Sequence, residues 1–125
     1  MKSILEQIAA AKADATDSFY EMLKTRKELD EFEKYNPYPI DKPFDERCVY
    51  YNNLLALNDK ANTALATSKR KVIHLGELLG VNPVKFRRYD GETYVMETYY
   101  RLERYCEEME SQLKRVVETY NEYHH

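Results

Sequence analysis

With 125 residues, 43% of them apolar and 33% charged, and with only three glycines and four prolines, the chain is one helix-rich domain with a modest core; this excludes a disordered chain or two independent domains. Its longest apolar runs are four residues, as from Leu54 to Leu57, which excludes a membrane span or a signal-peptide core and makes a cytoplasmic location the expectation. The net charge is only −3, but it is unevenly spread along the chain.

Ser3 followed by Glu6 reads as a capping box, in which hydroxyl and carboxylate each satisfy a free backbone N–H at a helix start. From there Ile4, Ile8, Ala11, Ala15, Ser18, Met22, Thr25, Leu29 and Phe32 recur at alternating spacings of four and three, and Leu5 and Phe19 widen the stripe. A period near 3.5 residues makes a seam for a coiled-coil-like partner, so a first helix is expected over about 3–35. Glu21, Lys24, Lys27, Glu28, Glu31 and Lys34 fall on its other faces as solvated surface. The stretch N-P-Y-P-I-D-K-P at 36–43 ends this helix, because prolines remove donors and bias the preceding residues away from helical angles. This linker lets the next helix turn back antiparallel, with Asp41 or Lys42 near the cap and Pro43 in the first turn.

A second helix is expected over about 44–79. Tyr50, Leu54, Leu57, Ala61, Ala64 and Ser68 step by four and three, and Val72, Leu75 and Leu79 continue the face with a shift. Its small and polar middle permits either close approach of a neighbour or a break, with Thr67 or Ser68 capping a separate helix from Lys69. Gly80, Val81 and Pro83 are a stop signal: a left-handed residue, its accompanying apolar contact, and a residue that cannot continue the helix. Asn82 before Pro83 is also a start signal, so a turn and short helix are expected over 80–91, centred on 83–89. The competing reading is a β-hairpin across Asp90-Gly91, since 84–89 and 92–96 are rich in strand formers.

This is also where the charge concentrates. The 69–89 window holds Lys69, Arg70, Lys71, Lys85, Arg87 and Arg88 against Glu77, which gives +5 and leaves −8 elsewhere. An acidic body with one basic window points to a localised anionic partner.

The last pattern is the most regular. Val95, Tyr99, Leu102, Cys106, Met109, Leu113, Val116, Tyr120 and Tyr123 alternate spacings of four and three over a helix expected at about 92–123. Such a helix, roughly 45 Å long, cannot bury its seam alone. Either the first two helices cover it in an elongated antiparallel three-helix bundle, or another copy of the chain does, with Val95, Tyr99, Leu102, Cys106, Met109, Leu113, Val116 and Tyr120 as the self-association face.

No constellation for catalysis emerges, and no cofactor or small-molecule substrate is implied. Glu28 with Glu31, and Glu107 with Glu110, have the spacing of helical metal ligands, but no second helix supplies the matching acidic motif, and 22 acids produce such spacing by chance. His74 is the lone internal histidine; His124 and His125 look like the stub of a purification tag. Cys48 and Cys106 sit among apolar neighbours and read as buried free thiols. Of the twelve tyrosines, Tyr94, Tyr100 and Tyr105 flank the third seam, and Tyr38 in the linker is a candidate exposed anchor.

Leu75, Gly76, Leu79, Gly80 and Val81, followed by Asn82, Phe86 and Tyr89, give the order of apolar, very small and capping residues of a turn between two helices. This segment resembles the helix-turn-helix of bacterial and phage DNA-binding regulators, over about 17 of the 125 residues. The string G-V-N-P-x-x-F-R-x-Y-D is similar to recognition helices of the mercury-resistance-regulator type, and R-Y-D-G to those of the Cro and repressor type. The resemblance implies DNA contacts by Asn82, Lys85, Arg87 and Arg88, with Lys69, Arg70 and Lys71 near the backbone. The expectation is an all-α, non-enzymatic binding protein of regulatory or phage-accessory type, which self-associates and engages nucleic acid without touching a membrane. The alternative is an adaptor or inhibitor that acts on another protein alone.

Overall fold

The computed structural model describes residues 3–81 and 91–123. They form three helices, α1 (Ile4–Tyr35), α2 (Phe44–Leu78) and α3 (Gly91–Tyr123), with no strand among the described residues. The result is an all-α bundle. Within the described residues, the hairpin alternative is contradicted from Gly91 onward, where 92–96 is helical; the short helix or turn at 83–89 lies outside them.

The boundaries of α1 and α2 have local causes. The Ser3 hydroxyl accepts from the Glu6 N–H at 3.2 Å and so satisfies one of the free donors that open α1. At its far end the Asn36 N–H and Nδ2 both donate to the Phe32 carbonyl, at 2.9 and 3.1 Å. Pro43, with φ −54° and ψ 157°, stands just ahead of α2, and its carbonyl receives the Arg47 N–H at 3.1 Å. The helix α2 then runs unbroken through 66–69, so the separate helix from Lys69 does not form. Ala61, Ala64 and Ser68 lie on its buried face, where small side chains allow close helix approach.

The end of α2 is a full Schellman turn. Gly80 takes φ +71°, its N–H donates to the Glu77 carbonyl at 3.1 Å, and the Val81 N–H donates to the Gly76 carbonyl at 3.0 Å. These two bonds satisfy carbonyls that a helix end leaves open, and Val81 adds its apolar contact to the core.

Ion pairs report the directions of the helices. Glu28 meets Lys60 at 3.1 Å and Asp14 meets Lys71 at 3.7 Å, so α1 and α2 run antiparallel. Arg26 meets Glu92 at 3.8 Å and Lys12 meets Glu110 at 3.6 Å, so α1 and α3 are antiparallel as well. It follows that α2 and α3 run in the same direction. Two contacts bear this out: a Cβ on Gly91 would lie 3.8 Å from Leu65, and Val81 shares a cleft of about 370 Å³ with Leu102 and Tyr105.

This register makes the three helices overlap over only part of their length. The core lies in the overlap, around Phe19, Met22, Val72, Leu75, Tyr99 and Leu102. Beyond it, one end is formed among the described residues by the α1–α2 hairpin alone, and at the other α3 runs on past the start of α1. Both ends carry apolar side chains in water.

Candidate functional site

The two sets of residues singled out from the sequence have different fates. Of the basic set, Asn82, Lys85, Arg87 and Arg88 lie outside the described residues. Lys69 and Lys71 are half-buried on α2 and Arg70 is exposed. Successive helical residues are about 100° apart, so three adjacent cations cannot form one face. Lys71 turns to Asp14 on α1, while the Arg70 guanidinium donates to the Thr67 hydroxyl at 3.3 Å. The exposed line through Arg70 holds His74 and Glu77, one of them an acid.

The self-association set is split. Val95, Tyr99, Leu102 and Cys106 are buried within the chain's own bundle, so these four meet α1 and α2 instead of standing free for a second copy. Met109 is half-buried against the core. Past it the same seam continues into solvent: Leu113 is 39% exposed, Val116 65%, Tyr120 61% and Tyr123 80%, with Val117 beside them at 58%. The cause is the register of the helices, since α1 begins level with this point and cannot follow α3 further.

At the root of that extension lies an apolar notch of about 290 Å³. Leu5, Ile8 and Ala9 of α1 face Met109 and Leu113 of α3 across it, and the Lys12 to Glu110 ion pair closes one side.

The interior beside the notch is anchored by Tyr99. Its ring stacks on Phe19, and its hydroxyl donates to Glu103 Oε2 at 2.8 Å while the Thr16 hydroxyl lies 2.9 Å away. Burial pushes the Tyr99 phenol up to about 12, with the Glu103 carboxylate acting the same way and the Thr16 hydrogen bond against it. Burial also raises the Cys106 thiol. Both groups stay protonated at neutral pH, which suits a core and gives no nucleophile.

A third feature, at the hairpin end, was foreshadowed in the sequence only by Tyr38. Tyr38, Tyr50 and Tyr51 gather with ring centroids 5.5 to 6.0 Å apart, and Phe32 joins through Tyr50. The hydrogen bond with Tyr38 is the main cause that raises the Tyr51 phenol. Ile40, Phe44, Val49 and Leu55 stand exposed around the cluster. The available signal was the apolar residues that fall off the second seam: Val49, Tyr51 and Leu55 beside Tyr50, Leu54 and Leu57.

Three of the four spaced carboxylates are engaged in ion pairs: Glu28 holds Lys60, Glu31 holds Lys27 and Glu110 holds Lys12. Among the described residues no group of three or more His, Cys, Asp or Glu side chains could hold a metal, and no helix is long and apolar enough to cross a membrane. The chain matches no protein-family model, no curated protein and no solved structure.

Proposed function

We propose that this chain is a non-enzymatic helical binding protein of regulatory type, which self-associates through its third helix and offers its basic window to a nucleic-acid backbone. The observation that carries the reading is the seam of α3, which continues with unbroken spacing beyond the last residue that its own chain covers. A monomer gains nothing from an apolar stripe in water, whereas an assembly buries it. The nucleic-acid part rests on the partition of charge, +5 in 69–89 against −8 elsewhere, and on the turn resemblance that spans 75–91.

Light scattering with and without duplex DNA tests both parts at once. The expected result is a mass above one chain without DNA and a further, salt-sensitive rise with it. Reversing the charges of Arg87 and Arg88 should abolish the second rise; no binding at about 50 mM salt ends the nucleic-acid part.

The exposed aromatic and aliphatic cluster around Tyr38, Ile40 and Phe44 favours the second reading, an adaptor or inhibitor that docks on another protein with no nucleic-acid contact. Recovery of one stoichiometric protein partner after nuclease treatment, lost on replacing Ile40 and Phe44 by Ser, is its signature.

A further inference from the structure

Resting on the proposed self-association, we infer that its site is the end of α3 alone, residues 113–123, paired antiparallel with the same residues of a second copy about a two-fold axis. The inner seam of α3 is already occupied by α1 and α2, so the residues from 113 onward are the part that remains in water.

Three features select a second copy in antiparallel orientation. The first is register. With Val116 placed opposite Tyr120 of the second copy, Leu113 falls opposite Tyr123, and the two extensions overlap over their whole length. Tyr123 of the second copy is then level with the notch between Leu5, Ile8, Met109 and Leu113, an apolar recess of about 290 Å³ suited to an aromatic ring. The second is charge. In an antiparallel pair the same flanks of the two helices meet, which brings Arg115 within one residue of level with Glu122 of the second copy, twice by symmetry; in a parallel pair opposite flanks meet, so Arg115 faces the flank that carries Lys114 instead. Gln112 and Thr119, which border the seam on that flank, are uncharged, and Glu118 lies on the opposite face. The third is area. Leu113, Val116, Val117, Tyr120 and Tyr123 expose roughly 100 Å² each, so pairing buries on the order of 1,000 Å² in total, which reaches the lower bound for a specific interface.

Sedimentation equilibrium of the full chain, across a concentration series, tests this. The expected result is reversible doubling of the 14.9 kDa chain mass. Val116→Glu with Tyr123→Glu should shift the dissociation constant at least tenfold towards the single chain. Both side chains already face water in one copy, so the bundle's helical signal should persist. Arg115→Glu and Glu122→Arg should each weaken pairing alone and restore it when mixed, since each then meets an opposite charge. A doubled mass that survives Val116→Glu with Tyr123→Glu overturns the placement at 113–123 and leaves self-association standing. Failure of the mixed chains to pair overturns the antiparallel register, and a single-chain mass at every concentration overturns the inference together with the self-association it rests on.

Discussion

The rings of Phe19 and Tyr99 stack with centroids 4.2 Å apart and planes 12° from parallel, and this contact holds the Tyr99 hydroxyl between α1 and α3. Since that hydroxyl donates to Glu103, the Thr16 hydroxyl is left as the donor to Tyr99. A phenol raised to about 12 in the fold and near 10 unfolded binds its proton more tightly in the native state. The stability it contributes is therefore complete below about pH 10 and is lost as pH climbs through 12, by at most about 3 kcal/mol. Tyr99→Phe keeps the stack, costs about 1 kcal/mol at neutral pH through the lost hydrogen bonds, and removes that alkaline limb. Urea unfolding of both proteins at about pH 9 and about pH 11.5 tests the sign, which fails if the gap between them stays constant.

Gly80 offers a cleaner backbone test. An added Cβ would meet nothing within 4 Å, so no packing change accompanies a substitution. With φ at +71°, Gly80→Ala should cost about 1 kcal/mol and lower Tm by a few degrees, while Gly80→Asn should cost less. Equal melting of Gly80→Ala and the parent would mean that the Schellman turn contributes nothing to stability.

Much of the bundle was legible because its signals are local. Ser3 before Glu6, the prolines at 37, 39 and 43, and the Leu-Gly-Val at 79–81 each act within one turn of helix, and periodicity alone identified Ile8, Ala15, Met22, Val95, Tyr99 and Leu102 as facing inward. Registration between helices was not legible. Nothing in a repeating seam says where a neighbour stops, so Cys106 in the core and Val116 in water carry the same pattern. The parallel run of α2 and α3 depends on pairings such as Leu65 beside Gly91, far apart in sequence. Within the described part of the basic window read over 69–89, Lys69, Arg70 and Lys71 point around the helix, with Lys71 held by Asp14.

Ser68 sits fully buried on α2, and its hydroxyl finds no hydrogen-bond partner among the described residues. A buried polar group in that state costs free energy that an apolar replacement of similar size avoids. Ser68→Ala should therefore stabilise the protein by about 1 kcal/mol, raising Tm by a few degrees with no change in helical content. A lower Tm for Ser68→Ala would show that the hydroxyl is bonded and that the close approach at Ala64 and Ser68 depends on it.

The two free thiols differ in a way that reports on the opening of α3. Cys48, near the start of α2, is half-buried, whereas Cys106 is about 1% exposed in the core. Burial is also the main cause that raises the Cys106 thiol; Lys12 comes next and pulls the other way, and the carboxylates of Glu110, Glu103 and Glu107 each add a smaller upward push. Access and ionisation thus both suppress its attack on a disulfide reagent, because only the thiolate reacts. In the native protein at about pH 8, one thiol per chain should react promptly and the second only as fast as the bundle opens. Mild urea should then accelerate the slow phase and leave the fast one nearly unchanged. Cys48→Ser should remove the fast phase, and Cys106→Ser the slow one. Two phases of equal rate in native buffer would place Cys106 at an accessible surface and remove it from the core shared by α1, α2 and α3.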